Sequence, residues 1–144
     1  MPQYFKYHNE FQLESGKTFP EFQLGFTTLG KLNAAKDNVI WITHALTANS
    51  NPEEWWNGLV GKGKFFNPEN HFIVCANVLG SPYGSTNPLS VNPQTGNKYY
   101  HNFPTLTIRD IVNAFELLRQ HWFAVLQRKR CRKTSNRTCG FYRL

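Results

Sequence analysis

Long apolar runs are missing from this 144-residue sequence. Without about 18 consecutive apolar residues, no transmembrane helix is expected, and the polar stretch 1–10 does not resemble a signal peptide. The chain has only three cysteines, and with no secretory signal this favours a reducing, cytoplasmic setting. The composition is 40% hydrophobic and 15% aromatic, which is enough for a core and excludes global disorder. This length allows one domain.

Patterns that hold metals or nucleotides are also lacking. None of the five histidines pairs with another at i, i+4 on a predicted helix. Cys131 and Cys139 are separated by seven residues, which is not the spacing of a zinc knuckle. No Walker motif or dinucleotide-binding glycine motif occurs. We therefore expect neither a metal nor a bound cofactor.

Acidic residues are absent from the last 22 positions. Residues 1–122 hold nine basic and nine acidic residues and carry no net charge, so the whole charge of +7 lies in 123–144. Seven basic side chains there could contact phosphates, and Phe141 and Tyr142 could stack on bases. A binder of nucleic acid or of an anionic surface is therefore one alternative. An accidental tail without a partner is the interpretation we prefer, so nucleic acid is not the expected partner.

The apolar patterning predicts an α/β fold. Apolar and polar residues alternate over 22–29, which predicts a strand that forms an antiparallel hairpin with residues 4–11. Residues 39–43 and 72–78 are continuous apolar runs, typical of strands buried on both faces of a parallel sheet. About 28 residues separate them, including a predicted helical turn within 53–60, as a βαβ unit requires.

A long loop and a helix follow. Residues 79–105 are rich in Gly, Ser, Pro and Asn, and a loop of this length in a compact domain is usually functional. Residues 107–121 are predicted to form a helix that Thr107 caps, with Asp110 completing an approximate capping box. Its predicted apolar stripe consists of Ile108, Ile111, Val112, Phe115, Leu118 and Trp122.

Several segments, in this order, resemble the amino-terminal part of the homoserine O-acetyltransferase family. They are FQLESGKTFPEFQLGFTTLGKLNAAKDN (11–38), VIWITHALT (39–47), FIVCANVLGSPYGSTNPLSVNPQTG (72–96) and FPTLTIRDIV (103–112). The resemblance covers residues 4–122, about the first third of a member. It implies the α/β-hydrolase fold and transfer of an acetyl group from acetyl-CoA, a substrate, to the hydroxyl of homoserine in methionine biosynthesis.

The resemblance also implies a mechanism. A Ser nucleophile forms an acyl-enzyme, a His relays protons and an Asp orients that His. One oxyanion donor comes from the loop after the third hydrolase strand, which here is His44-Ala45-Leu46-Thr47. The backbone N–H of Leu46 would be the donor. His44 and Ala45 belong to one expected pocket loop, in which we expect His44 to be structural. The other expected pocket loop contains Gly80, Gly84, Ser85 and Thr86, for which a tight structural turn is an equal alternative.

The nucleophile itself is missing. None of the six serines lies in a G-x-S-x-G pentapeptide, and the family regions that supply the Asp and the His have no counterpart here. We therefore predict an incomplete α/β-hydrolase fold, truncated before the nucleophile elbow, and an inactive fragment. An esterase of the same fold is a second alternative, although the His-Ala-Leu-Thr loop is not the glycine-rich oxyanion loop of esterases and lipases.

The predicted division places the acyltransferase-like domain at 1–122 and a basic tail at 123–144. The tail does not resemble the family, which favours a frameshift or a mispredicted gene end over a natural basic tail on a divergent protein. The strand 39–43 would normally lie between two others, so here it becomes an exposed apolar edge, and we expect poor solubility. The resemblance implies a homodimer for the intact family members, and we do not expect one for this chain.

Overall fold

The computed structural model describes residues 2–133, with side chains as far as Trp122. The described part holds six strands and two α-helices. The strands are β1 (Gln3–Tyr7), β2 (Phe11–Gln12), β3 (Thr18–Phe19), β4 (Phe22–Leu29), β5 (Val39–Thr43) and β6 (Phe72–Ala76). The helices are α1 (Pro52–Trp55) and α2 (Ile108–Lys133). No described helix combines the length and the apolar character needed to cross a membrane.

The amino-terminal strands pair as predicted. β1 and β4 are antiparallel, with Phe5 opposite Leu24. Between them the chain makes a second small hairpin, β2–β3, whose turn is closed by a hydrogen bond from Leu13 N to Lys17 O of 2.9 Å. Gly16 occupies this turn at φ 77°, a conformation that costs glycine little.

The main sheet has the order β1-β4-β6-β5. β5 and β6 are parallel, as predicted, with Val39 opposite Phe72 and Thr43 opposite Ala76. All five residues of β6 are buried. The expectation that β5 is buried on both faces is wrong, because only Ile42 is buried. Among the described residues, β6 is the one neighbour of β5, which lies at the edge of the sheet, in line with the exposed edge expected from the sequence.

Two layers cover the sheet. On one face, Val60 and the partly buried Trp55 and Phe66 pack against Ile73 and Cys75. On the other face, Ala114 and Leu118 of α2 join a larger core that is rich in phenylalanine. That core contains Phe5, Phe11, Phe19, Phe22, Leu24 and Phe26. Helix α2 and the segment that holds α1 therefore lie on opposite faces of the sheet.

Helix α2 begins where the capping pattern predicts and ends later. Thr107 N donates to Asp110 Oδ2 (2.9 Å), and Asp110 N donates to Thr107 Oγ1 (3.2 Å), which is a reciprocal capping box. The predicted end at 121 is wrong, since the backbone stays helical to Lys133. Residues 122–133 contain neither glycine nor proline, so the local sequence does not break the helix.

The predicted apolar stripe of α2 is only partly buried. Leu118 is fully buried, whereas Ile108 is 77% and Val112 is 55% exposed, which contradicts the prediction for these two residues. The predicted basic tail comprises residues 123–144. Their side chains lie outside the described part of the structure, so the boundary of the tail stays a prediction.

Candidate acyl-transfer site

Strands β5 and β6 are parallel, so their carboxyl ends open into loops at the same edge of the sheet. His44, immediately after β5, connects these two loops. Its Nε2 accepts a hydrogen bond from Val78 N at 3.2 Å, and its Nδ1 lies 2.8 Å from the carbonyl of Ala45. Both contacts are satisfied by a neutral imidazole that carries its proton on Nδ1. The arrangement supports the structural role that we expected for His44.

The predicted oxyanion loop is a tight turn. Ala48 N donates to Ala45 O at 3.0 Å, so Leu46 and Thr47 are its two central residues. That bond uses neither central amide. The Leu46 side chain is 98% exposed. An exposed turn at the carboxyl end of a parallel strand is where a backbone donor for a developing oxyanion is expected.

The loop after β6 folds back along β4. Thr86 N donates to Gln23 O at 2.9 Å, and Gln23 N donates to Thr86 Oγ1 at 2.8 Å. Ser85 is buried, and its hydroxyl donates to Asn77 O (2.8 Å) and accepts from Gly25 N (3.2 Å). Gly80 N donates to Thr86 O at 2.8 Å. These bonds give Ser85 and Thr86 a structural function.

This packing depends on two glycines that face each other. A Cβ added to Gly25 would lie 2.7 Å from Tyr83 O and 3.2 Å from the carbonyl carbon of Gly84. Gly84 has a φ of 93°, and a Cβ there would lie 2.7 Å from Cε1 of Tyr4. Since real Cβ atoms do not approach this closely, the loop can lie on β4 only because both positions are glycine.

A polar cluster that the sequence analysis missed lies under the same loop. Asn77 Nδ2 donates to Ser50 Oγ (3.2 Å) and to Tyr83 O (2.5 Å), and Ser50 Oγ lies 3.2 Å from Thr27 Oγ1. These residues line a cleft of about 630 Å³, and Gly84 belongs to its wall. A polar residue directly after a buried apolar run, as Asn77 is, was the available signal.

Gly84 also borders a second, smaller cavity. That cavity has a volume of about 280 Å³ and is lined by Ser85 and Thr86 as well. Gly84, Ser85 and Thr86 thus border open space, as a pocket wall would. The same loop is hydrogen-bonded to β4, as a structural turn would be, so each of the two interpretations describes part of its geometry. Their use as a pocket wall stays a prediction.

The described residues offer no activated nucleophile among the groups nearest the loops. The Ser85 hydroxyl is engaged by backbone groups on both sides. Burial raises the pKa of the Cys75 thiol to about 12, so this cysteine stays protonated at neutral pH. His44 Nε2, the nitrogen that would act as a base, already accepts from Val78 N. Among the described residues, Ser85, Cys75 and His44 are therefore not arranged as an attacking group and its base, and the oxyanion donor at Leu46 stays a prediction.

Searches against known proteins give sequence and structural relatives, and no family model matches. The chain is 64% identical over 109 residues to a homoserine O-acetyltransferase from Cyclobacterium marinum, covering 76% of this chain and 31% of that protein. It is 50% identical over 116 residues to one from Chlorobaculum parvum, covering 81% and 33%. The chain thus spans about a third of the length of these curated relatives.

Solved structures give the same assignment for the fold. A homoserine O-acetyltransferase from Bacillus anthracis superposes with a TM-score of 0.73 at 33% identity, over 84% of this chain and 36% of that one. Esterase E22 superposes with a TM-score of 0.74 at 30% identity, over 85% and 37%. The sheet, helix α2 and the turn after β5 therefore define an amino-terminal part of an α/β-hydrolase-fold protein, a class that includes acyltransferases and esterases.

Within that class, the sequence relatives point to one family. The curated relatives at 64% and 50% identity are both homoserine O-acetyltransferases. The chain is similar to these proteins over about a third of their length.

Proposed function

We propose that the protein to which these residues belong transfers an acetyl group from acetyl-CoA to the homoserine hydroxyl. The observation that carries the proposal is the 64% identity to a curated homoserine O-acetyltransferase over 109 residues. The substrates are then two small molecules, with acetyl-CoA as donor rather than as a bound cofactor, and the reaction belongs in the cytoplasm. Neither a membrane nor a nucleic acid is part of it.

In this reaction the described residues supply the oxyanion turn and its support. The amide of Leu46, in the turn after β5, donates to the oxygen that becomes negative when the acetyl carbonyl is attacked. A donor of this kind contributes about 3–4 kcal/mol to transition-state stabilisation. His44, through Val78 N and the Ala45 carbonyl, fixes the position of that turn.

The 144 residues alone are proposed to be inactive. Transfer through an acyl-enzyme needs a serine made nucleophilic by a histidine, and the sequence has no G-x-S-x-G elbow. The Ser85 hydroxyl, the buried serine of the loop after β6, is held by Asn77 O and Gly25 N. The chain is thus a scaffold that carries one of the two oxyanion donors.

The test is to incubate the purified chain with acetyl-CoA and homoserine and to follow free CoA with a thiol reagent. Because Cys131 and Cys139 would react with the reagent as well, the variant Cys131→Ser/Cys139→Ser is used, with a sample lacking homoserine as control. We expect no CoA release above the background. Homoserine-dependent release would show that the chain is catalytically complete.

The second candidate, an esterase of the same fold, has the superposition with esterase E22 behind it, but the sequence relatives do not favour it. It is tested in the same preparation with p-nitrophenyl acetate. Hydrolysis that exceeds the rate of a heat-denatured sample would favour the esterase, and we expect none.

A further inference from the structure

The turn that follows helix α1 holds the one asparagine of the sequence that directly precedes a glycine. Asn57 and Gly58 are both exposed. Two backbone hydrogen bonds of 2.9 Å close the turn, in which Leu59 N and Val60 N both donate to Trp56 O. Because glycine has no Cβ, the backbone nitrogen of an Asn-Gly pair can approach the preceding side-chain amide with little obstruction.

Both groups of this pair are free to react. Among the residues that the structure describes, neither the Asn57 side chain nor the Gly58 amide has a hydrogen-bond partner. A Cβ added to Gly58 would find no atom within 4 Å outside its chain neighbours, so the space around the nitrogen is open. Attack of one group on another in the same chain needs no encounter between two molecules, which favours the reaction.

Other asparagines are less suited to such an attack. Four of them precede proline, namely Asn51, Asn67, Asn87 and Asn92. A proline nitrogen carries no hydrogen and cannot attack. Asn49 precedes a buried serine, and its Oδ1 accepts a hydrogen bond of 2.7 Å from the next backbone amide but one. Asn57 is therefore distinguished both by the residue that follows it and by its surroundings.

A cation lies at the same turn. The ammonium of Lys64 donates a hydrogen bond to the main-chain oxygen of Asn57. The neighbouring Lys62 points elsewhere, since its Nζ pairs with Glu69 Oε1 at 3.1 Å. A positive charge at a carbonyl oxygen stabilises the negative charge that develops there when the carbonyl carbon is attacked. Lys64 therefore activates the main-chain carbonyl of Asn57 rather than its side-chain amide.

We propose that Asn57 is a site of spontaneous deamidation and that Lys64 directs the product towards isoaspartate. The Gly58 nitrogen loses its proton and forms a bond to Cγ of Asn57. The bond from Cγ to Nδ2 breaks, and ammonia leaves with a proton, which gives a cyclic imide. Water then opens this ring. Opening at Cγ gives aspartate, whereas opening at the main-chain carbonyl carbon, the one beside Lys64, gives isoaspartate.

Isoaspartate changes both the charge and the backbone of this turn. The former main-chain carbonyl becomes a free carboxylate that keeps its contact with the Lys64 ammonium, and the chain continues through Cβ and Cγ. The extra backbone atom lengthens the turn that positions Val60, which is 1% exposed and packs against Ile73 and Cys75. We therefore expect the modified chain to be less stable than Asn57→Asp, which adds the charge without the extra atom.

The experiment incubates the purified 144-residue chain at pH 8.5, with a sample at pH 6 as reference, because base favours loss of the amide proton. Digestion at mildly acidic pH and mass spectrometry then locate the converted asparagines, and an isoaspartyl methyltransferase assay distinguishes isoaspartate from aspartate. We expect Asn57 to convert at least about tenfold faster than Asn49. Gly58→Ala, whose added Cβ meets no atom of the fold, should slow the conversion of Asn57 by a similar factor.

Lys64→Met tests the direction of ring opening, and Lys62→Met is its matched control. We expect Lys64→Met to lower the ratio of isoaspartate to aspartate about twofold in the folded chain, since an exposed charge has a modest effect. The same variant should leave the ratio unchanged in urea, where the turn is lost. Lys62→Met should leave it unchanged under both conditions. The urea midpoint of the incubated chain is compared with those of the parent and Asn57→Asp.

Three results would overturn these expectations. Conversion of Asn57 at the rate of Asn49, or at an unchanged rate in Gly58→Ala, would show that the turn is not a deamidation site. An equal product ratio in Lys64→Met and Lys62→Met would show that Lys64 does not direct ring opening. An incubated chain that is rich in isoaspartate but keeps the urea midpoint of Asn57→Asp would show that the extra backbone atom does not disturb Val60.

Discussion

Asp110 connects the start of helix α2 to the amino-terminal hairpins, and its removal tests the packing described above. The residue is 1% exposed. Its Oδ1 accepts from Glu14 N at 3.0 Å and its Oδ2 accepts from Thr107 N at 2.9 Å, while its own amide donates to Thr107 Oγ1. One carboxylate thus satisfies two backbone donors that are 93 residues apart in the sequence.

The expected cost follows from those two bonds. A hydrogen bond to a charged group contributes about 1.5–3 kcal/mol, so Asp110→Ala, which removes both acceptors, should lower the free energy of unfolding by about 3–6 kcal/mol. Asp110→Asn keeps one acceptor oxygen and turns an NH₂ group toward the other backbone amide. We therefore expect it to lower the free energy of unfolding by about 2 kcal/mol. Domains are stable by only about 5–15 kcal/mol, which makes the Asn variant the safer one to measure.

The assay is urea unfolding at low protein concentration, followed by tryptophan fluorescence. Trp122 and Trp41 report on α2, because their rings contact Phe72 and Phe115. The control is Asp37→Asn, at the other aspartate of the chain, which is exposed and bonds locally to Asn33. A cost for Asp110→Asn no larger than that for Asp37→Asn would refute the proposed role of Asp110.

The pH dependence provides a second readout. Burial acts to raise the pKa of Asp110, but hydrogen bonds from the backbones of Thr107 and Glu14 outweigh it and leave the pKa below its ordinary value. A carboxyl group with a lowered folded-state pKa stabilises the fold fully above its unfolded pKa of about 3.9, and this stabilisation disappears as the pH falls through the folded value. The stability difference between the parent and Asp110→Asn should therefore be constant from pH 7 to about 5 and shrink below about pH 4.

Two further experiments test the close packing of the loop after β6 and the burial of Cys75. Gly25→Ala puts a Cβ 2.7 Å from Tyr83 O and should cost about 1–3 kcal/mol in thermal unfolding, whereas Gly58→Ala, with no atom within 4 Å, should be close to neutral; equal effects of the two would contradict the close packing. The Cys75 thiol, with its pKa raised by burial to about 12, should resist iodoacetamide at pH 8 in a Cys131→Ser/Cys139→Ser background and react once urea unfolds the chain. Rapid labelling of the folded protein would argue against a buried thiol.

The sequence predicts the fold best where a pattern has one structural meaning. The apolar runs at 39–43 and 72–78 indicated parallel strands, and β5 and β6 form them. Exposure was predicted less well, since Val39 is 36%, Ile108 77% and Val112 55% exposed. An apolar pattern reports the environment for which a residue is suited, and this need not be the environment that the residue has in the structure. The β2–β3 hairpin was missed because strands of two residues are too short to show a period.

In the candidate site, too, some features could be predicted from the sequence and others could not. The position of the turn at Leu46 and Thr47 could be inferred, because ligand-binding loops follow the carboxyl ends of parallel strands. The contact of Gly25 with the loop at Tyr83 and Gly84 could not be inferred, since it joins residues about 60 positions apart in the sequence. The buried amide of Asn77 was missed for the same reason, because its partners Ser50 and Tyr83 come from two different loops.

The comparison structures indicate where acceptor choice is made within this fold. An esterase and a homoserine O-acetyltransferase superpose on this chain with TM-scores of 0.74 and 0.73, at 30% and 33% identity. Each superposition covers 84–85% of this chain, so this part of the fold is common to an esterase and a homoserine O-acetyltransferase. Stabilising a developing oxyanion is required whether the acyl group passes to water or to an alcohol, so a shared scaffold for that step is expected. The superpositions cover only 37% and 36% of those two chains, so we expect residues beyond the match to contribute to the choice of acceptor.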